Sequence, residues 1–149
     1  MPHPFVHVEL NSSNPEKAKS FYSQLFHWQM EDMPNPAVPD QSYTVIRVEE
    51  GTGGGIMKQV PNGPEGWIPY VLVEDLRAFT ERAKSLGGKV MKDITEVQDM
   101  GWFSIIEDPT GTILGLWKAN PKMMHAGPEA KEKSPAVKKQ VAETRARTH

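Results

Sequence analysis

The stretch from Ile68 to Gly88, IPYVLVEDLRAFTERAKSLGG, decides the fold class. Its first six residues are largely apolar and rich in β-branched side chains, which is typical of a strand, although Pro69 lies near the start. Asp75 then suits the cap of a helix whose apolar side chains recur at helical spacing. Gly87 and Gly88 end this helix because glycine tolerates the left-handed conformation that follows a helix C-terminus. The predicted apolar stripe of the helix comprises Leu76, Phe79, Ala83 and Leu86.

Three further strands are predicted after this helix, at 89–94, 101–107 and 112–118. The last two are joined by Asp108-Pro109-Thr110-Gly111. Asp in the first place, Pro in the second and Gly in the fourth are typical of a type I turn. This half of the chain therefore consists of a strand, a helix and three strands.

The first half of the chain has the same order of elements. A strand is predicted over 5–10, because apolar and polar side chains alternate there. A helix follows, with Asn14 as its cap and Pro15 at its first position. The later elements are short strands at 28–30, 43–48 and 56–57, a proline-rich loop at 33–39 and a glycine-rich turn at 51–55.

Two copies of one supersecondary order indicate a duplicated architecture. We predict an α+β domain over residues 1–119, built from two tandem βαβββ modules at about 4–60 and 66–119. Their strands are expected to form one cupped mixed sheet around a small-molecule pocket.

The segment 120–149 differs in composition from the rest of the chain. It has seven Lys and Arg, three Asp and Glu, and few large apolar side chains. Such a composition predicts a basic tail that is disordered or loosely docked. The alternative is a partner-docking helix that begins near Ser134-Pro135 and presents Val137 and Val141 on one face.

Composition also restricts the possible partners. Residues 1–119 carry ten Lys and Arg against sixteen Asp and Glu, which argues against nucleic-acid binding. The absence of cysteine excludes disulfides, thiolate metal sites and thiol nucleophiles. No apolar run approaches the ~20 residues of a membrane span, and no secretory signal is recognisable at the N-terminus. We therefore expect a soluble, cytoplasmic protein with no membrane partner.

Several short motifs, in their order and spacing, resemble those of the vicinal oxygen chelate superfamily. This superfamily includes glyoxalase I, bleomycin-resistance proteins and extradiol dioxygenases. The resemblance spans about residues 4–119 and implies the two-module fold and a homodimer. The motifs are His7, Phe21-Tyr22, Phe26-His27-Trp28, Trp67, Tyr70 to Leu76, Leu86 to Val90, and Ile106-Glu107 before the turn at Asp108.

The resemblance also implies where a divalent metal would bind. Metal-dependent members take two ligands from each module, one from its first strand and one from its last. His7 occupies the first of these four places. The other three hold side chains that cannot donate to a metal, namely Gly54, Gly55 or Ile56 in the first module and Ile68 and Gly115 in the second. A catalytic metal needs about three protein ligands, so the site is incomplete and no cofactor is favoured. The alternative is Zn, Ni, Mn or Fe held by His7, with Glu9 and waters.

Strand alternation predicts which side chains line the pocket. If His7 points inward on the first strand, Phe5 and Glu9 do so as well. Such a set is mainly apolar and aromatic with a few polar groups, as in many small-ligand sites. The alternative is that the same rings merely fill the cup as core. The remaining predicted lining residues are Ile68, Tyr70, Leu72, Trp102, Ser104, Gly115 and Trp117.

His7 and Glu9 are the predicted catalytic candidates. An inward Glu9 needs a partner because an unpaired buried carboxylate is costly, and His7, Tyr43, Arg47 and Tyr70 are available. A coupled His–Glu pair would act as acid and base on a bound substrate. A structural, hydrogen-bonded role for His7 is the alternative.

Three functions from different classes remain open on the sequence. The first is metal-free binding or sequestration of a small-molecule ligand. The second is a metal-dependent enzyme of the lyase, isomerase or dioxygenase kind, with a partial site at His7 and Glu9 or a site elsewhere in the domain. The third is an interaction domain that kept the architecture and filled its pocket.

Overall fold

The computed structural model of the chain describes residues 2–35 and 40–121. The order of elements is a strand, a helix and three strands, repeated once, as predicted. The strands are β1 (Phe5–Ser12), β2 (Gln29–Pro34), β3 (Ser42–Arg47), β4 (Gly54–Lys58), β5 (Gly66–Leu72), β6 (Lys89–Val97), β7 (Gly101–Glu107) and β8 (Ile113–Ala119), and the helices are α1 (Pro15–Phe26) and α2 (Leu76–Ser85).

All eight strands form one mixed sheet in the order β2-β3-β4-β1-β5-β8-β7-β6. Each module contributes four adjacent strands, and the modules join where β1 runs antiparallel to β5. Within the modules, β1 pairs with β4 and β5 pairs with β8 in parallel. The two modules are thus related by an approximate two-fold axis between β1 and β5, and the predicted α+β fold is confirmed.

The helix boundaries follow from the capping residues. Asn14 accepts a hydrogen bond from the backbone N–H of Lys17 at 3.1 Å, and Pro15 occupies the first turn of α1. Asp75 accepts in the same way from Ala78 at 3.0 Å. Beyond α2, Gly87 adopts a φ of 98°, the left-handed conformation that glycine favours.

Both helices lie on the same face of the sheet. Under α1 the core consists of Leu10, Ile46 and Ile56, and under α2 it consists of Val73, Leu76 and Leu116. Burial of each such side chain contributes about 1.5–3 kcal/mol. The opposite face carries no helix among the described residues, and we call it the helix-free face.

Several element boundaries and one residue of the helix stripe differ from the sequence predictions. Strand β2 extends through Pro34, so that Met33 and Pro34 pair with Tyr43 and Ser42 instead of forming a loop. Proline is tolerated there because β2 is an edge strand. Leu86 lies at the end of α2 with 65% of its surface exposed, so it is not part of the buried stripe. Strand β1 continues two residues past its predicted end, and β6 continues three residues past its own. Strand β4 begins at Gly54, inside the predicted glycine-rich turn.

The predictions for the tail concern residues that are described only as far as Pro121, so a disordered or helical tail lies outside the described residues. Within residues 2–35 and 40–121, no helix is long and apolar enough to cross a membrane.

Candidate functional site

The strand register places the predicted site residues on the helix-free face. Glu9 lies opposite Gly55 on one neighbouring strand and opposite Ile68 on the other. His7 lies opposite Tyr70, which in turn lies opposite Gly115. Directly paired residues point to the same face of a sheet, so these side chains share one surface. Leu72 and Trp117 form the next pair along and belong to the same surface.

The centre of this face is buried although no described helix covers it. Ile68, Tyr70 and Ile105 expose only 2%, 6% and 8% of their surfaces. These side chains must therefore cover one another, as they do on the inner surface of a strongly curved sheet.

Phe5 does not join this group. The pairing of β1 with β5 shifts between Phe5 and His7, so that Phe5 faces Val71 and His7 faces Tyr70. Such a bulge breaks the strict alternation of side chains along a strand. Phe5 is 59% exposed. The expectation that Phe5 points inward with His7 and Glu9 is corrected for this reason.

Trp102 and Ser104 also lie elsewhere. Ser104 is fully buried against α2, where its hydroxyl is 2.9 Å from that of Thr80, and Trp102 packs on the core under the same helix. The expectation that they line the pocket is wrong, because the even-numbered residues of β7 point to the helices and the odd-numbered residues point to the helix-free face. Phe103 and Ile105 are the apolar β7 residues on the helix-free face, since they pair with Trp117 and Gly115.

Glu9 is the centre of a hydrogen-bond network. Its Oε2 accepts from the Tyr43 hydroxyl at 3.0 Å. Its Oε1 accepts from the Tyr70 hydroxyl at 3.3 Å and from the Asn11 amide at 3.2 Å. The Tyr43 hydroxyl also lies 2.6 Å from Nε2 of His7. Two of the predicted partners of Glu9, Tyr43 and Tyr70, are confirmed, whereas Arg47 pairs with Glu31.

Each tyrosine reaches Glu9 by lying across a glycine. A Cβ at Gly55 would overlap the ring of Tyr43, and a Cβ at Gly115 would overlap the ring of Tyr70. The two glycines pair with Glu9 and Tyr70 in the equivalent parallel ladders of the two modules. The absence of side chains at these two positions is therefore what admits the tyrosine rings.

Two contributors were missed or underrated in the sequence. Asn11 follows Phe5, His7 and Glu9 in the alternation, but the predicted strand ended one residue too early to include it. For Tyr43, the sequence predicts no more than one of several possible partners of Glu9. A tyrosine opposite a glycine-rich strand is the signal that could have singled it out.

The network has one consistent direction of donation. An ionised carboxylate accepts hydrogen bonds and donates none, so the Tyr43 hydrogen points to Glu9. The Tyr43 oxygen then accepts from Nε2–H of His7, which makes Nδ1 the unprotonated nitrogen of a neutral ring. Among the described residues, Nδ1 has no hydrogen-bond partner. The site thus presents a proton acceptor whose tautomer is set by Glu9 through Tyr43.

Burial shifts the titration of each group. It lowers the pKa of His7 from 6.5 to about 4, which keeps the imidazole neutral at pH 7. It raises the pKa of Glu9, against the effect of the hydrogen bonds from Tyr43, Asn11 and Tyr70. Burial, together with the nearby charge of Glu9, also raises the pKa of both Tyr43 and Tyr70, so both hydroxyls remain protonated donors.

These residues do not fit a divalent metal. No three His, Asp or Glu side chains converge anywhere in the described parts of the chain. The resemblance implies metal ligands at three further places, namely Gly54, Gly55 or Ile56 on β4, Ile68 on β5 and Gly115 on β8, and none of these side chains can donate to a metal. Of these residues, Gly55 and Gly115 lie under the rings of Tyr43 and Tyr70. Longer donor side chains at Gly55 and Gly115 would displace those rings.

Two shallow hollows lie elsewhere on the surface. One lies between the start of α2 and Trp102, and the other between the start of α1 and strands β3 and β4. Neither is bordered by His7 or Glu9. The hydrogen-bond network of His7, Tyr43, Glu9 and Tyr70 lies on the helix-free face, away from both hollows.

Comparison with curated proteins shows clear sequence relatives. The chain is 34% identical over 117 residues to "Putative glyoxylase CFP32" of Mycobacterium tuberculosis, which covers 76% of this chain and 44% of the relative. It is 22% identical over 125 residues to "Anthracycline biosynthesis protein DnrV" of Streptomyces peucetius, covering 74% of this chain and 45% of the relative. The chain thus spans less than half the length of these relatives.

Solved structures show the same fold at low identity. A hypothetical protein of Bacillus halodurans superposes with a TM-score of 0.63 at 10% identity, covering 80% of this chain and 96% of that one. Methylmalonyl-CoA epimerase of Mycobacterium tuberculosis gives a TM-score of 0.60 at 16% identity, covering 82% and 91%. These likenesses concern architecture.

The family model described as "Glyoxalase/Bleomycin resistance protein/Dioxygenase superfamily" matches residues 5–116. That range includes β1 to β7 and the parallel β5–β8 pairing at Gly115. The chain therefore belongs to the glyoxalase/bleomycin resistance protein/dioxygenase superfamily.

Proposed function

We propose that the helix-free face binds a small organic molecule without a metal ion. The observation that carries this proposal is the pair of tyrosines that lie across Gly55 and Gly115 and donate to Glu9. The tyrosine rings occupy the space that metal-ligating side chains would need, and they hold the Glu9 carboxylate by hydrogen bonds among mainly aromatic side chains. A few converging polar groups in an apolar hollow are the usual make-up of a small-ligand site.

The first test of the proposal concerns metal. Protein prepared without a histidine tag is incubated with Zn²⁺, Ni²⁺, Mn²⁺ or Fe²⁺, dialysed, and analysed for bound metal by mass spectrometry. We expect far less than one ion per chain. Stoichiometric retention of an ion that is lost in His7→Ala would contradict the proposal and favour the metal-dependent enzyme.

The second test concerns the ligand. A library of monocyclic aromatic fragments is screened by ¹H–¹⁵N NMR, and we expect chemical-shift changes to cluster at His7, Glu9, Tyr43 and Tyr70. Ser104→Ala is the matched control, because Ser104 points to α2 and should leave fragment binding unchanged. If no fragment perturbs this face, the filled-pocket interaction domain is the better description.

A second candidate function is acid–base catalysis of the lyase or isomerase kind at His7. The direction of hydrogen bonding from His7 through Tyr43 to Glu9 favours it, since it leaves Nδ1 as a free acceptor. A proton taken up at Nδ1 would be stabilised by the Glu9 charge through Tyr43. Tyr43→Phe separates the two functions, because it should lower turnover far more than ligand affinity.

We also propose that the chain is a homodimer. Four large apolar side chains on or beside α1 are between 40% and 58% exposed, and clustered exposed apolar side chains are typical of protein–protein interfaces. They are Phe21, Leu25, Phe26 and Trp67, and the three aromatic rings among them contact Tyr22 or Trp28. Light scattering on a gel-filtration column measures the mass, and a monomer at micromolar concentration would contradict this.

A further inference from the structure

The charge of Glu9 has no cation beside it. All three side chains that donate to it, from Tyr43, Tyr70 and Asn11, are uncharged. Arg47 is the basic side chain of β3 on this face, and it pairs with Glu31 on the edge strand β2. The basic residues of β6 lie four strands away from β1. A positive charge brought by a ligand would stabilise a partly buried carboxylate in this setting.

The neighbouring polar atom is also an acceptor. With Nε2–H of His7 donated to Tyr43, Nδ1 offers a lone pair and has no hydrogen bond within the described chain. The Tyr43 and Tyr70 hydroxyl hydrogens are already directed at Glu9. The donors of the network are therefore already bonded within it, and Nδ1 of His7 is left to accept a hydrogen bond from a ligand.

The aromatic side chains of the helix-free face suit a cation with an apolar body. The rings of Tyr70 and Phe103 meet edge to face at 6.2 Å, and that of His7 meets Tyr70 at 6.0 Å. Trp117 lies on the same face, opposite Leu72. Aromatic faces attract ammonium groups, and the excess of acidic over basic residues in 1–119 attracts cations from solution.

We propose that the ligand of the helix-free face carries a positively charged amine on an aromatic or apolar body. The amine lies beside Glu9, donates a hydrogen bond to Nδ1 of His7, and leaves the apolar body against Trp117 and Phe103. This inference rests on the proposed ligand-binding function and names the class of ligand.

The test uses three compounds of one size that differ in charge. Benzylamine, benzyl alcohol and benzoate are titrated into ¹⁵N-labelled wild-type protein at pH 7 and one salt concentration. At the helix-free face we expect benzylamine to bind about tenfold more tightly than the alcohol, and benzoate most weakly. Benzyltrimethylammonium keeps the charge without an N–H donor and should bind between the amine and the alcohol.

Two variants identify the cause of the preference. Glu9→Gln removes the charge at nearly constant shape and should bring the amine to within about twofold of the alcohol. Glu9→Asp keeps the charge and should retain the preference. A preference that survives unchanged in Glu9→Gln would overturn the assignment.

The wild-type titrations alone decide the remaining cases, so the test does not depend on the variants folding. Equal affinities for the amine and the alcohol at this face would refute the proposal that the ligand is an amine, while the proposed ligand binding would stand. Tighter binding of benzoate would refute it as well. If none of the four compounds changes the NMR chemical shifts of this face, both the amine ligand and the proposed function are contradicted.

Discussion

Removal of the Tyr43 hydroxyl should be the most damaging single-atom change on the helix-free face. Its oxygen bridges Nε2 of His7 at 2.6 Å and Oε2 of Glu9 at 3.0 Å. Tyr43→Phe therefore removes one hydrogen bond to a carboxylate and one to a neutral imidazole, and leaves both partners in a part-buried position. The first is worth about 1.5–3 kcal/mol and the second about 1 kcal/mol. We expect a loss of about 3 kcal/mol in the free energy of unfolding.

Two matched variants make the comparison specific. Tyr70→Phe removes a single hydrogen bond to the same carboxylate at the longer distance of 3.3 Å and should cost about 1 kcal/mol. Tyr22→Phe changes a tyrosine on the helix side whose hydroxyl bonds to no described residue, and it should cost less than about 0.5 kcal/mol. The ranking is then Tyr43, Tyr70 and Tyr22.

Urea unfolding at pH 7, followed by tryptophan fluorescence and far-UV circular dichroism, measures the three free energies. The m-value serves as the control, since an unchanged slope means that the folded and unfolded states keep their surface areas. A cost below about 1 kcal/mol for Tyr43→Phe, or equal costs for Tyr43→Phe and Tyr70→Phe, would show that water replaces the hydroxyl and that the bridge is not a structural unit.

Three further predictions concern the same surface and its reverse side. Gly55→Ala should cost about 3 kcal/mol, because its Cβ displaces Tyr43 from Glu9, and much less in a Tyr43→Ala background; a double-mutant cycle in urea measures the coupling. The pKa of His7 is lowered to about 4 in the folded protein, so the unfolded state binds the His7 proton at a higher pH than the folded state does. The free energy of unfolding of the wild type should therefore fall by up to about 3 kcal/mol between pH 6.5 and about 4, and that of His7→Gln should fall less. Parallel curves of unfolding free energy against pH for the two proteins would contradict this. Ser104→Ala should cost about 1 kcal/mol, since the Thr80 hydroxyl loses a buried partner, with no change in fragment binding; altered binding would place Ser104 in the pocket after all.

Local patterns in the sequence were sufficient to predict the helices and strands and their order along the chain. The caps at Asn14 and Asp75, the Gly87 stop and the turn at Asp108 act over a few residues, so their effect does not depend on the rest of the fold. The turn is closed by a hydrogen bond from the N–H of Gly111 to the carbonyl of Asp108 at 2.9 Å. Two similar modules followed directly from these signals.

The alternation of side chains along β1 was sufficient to predict which of its residues share the helix-free face from His7 onward. His7 and Glu9 share the helix-free face because the strand is regular from His7 onward, and Tyr70 and Ile68 follow from the pairing with β5. The same reasoning failed for Phe5, where a bulge inserts one residue, and for Ser104, where β7 lies in the opposite parity. A one-residue shift reverses every side chain beyond it, and nothing local in the sequence marks such a shift.

By itself, the sequence determined a duplicated α+β domain, since that is a property of residue type and local order. The family resemblance added that Gly54, Gly55 or Ile56, together with Ile68 and Gly115, stand where metal ligands are expected. Only the tertiary structure decided that Tyr43 and Tyr70 lie across two of those positions and meet at Glu9. The reason is physical: Tyr43 lies 34 positions from Glu9 in the chain and Tyr70 lies 61 positions from it, so their contact depends on how strands pair across the sheet.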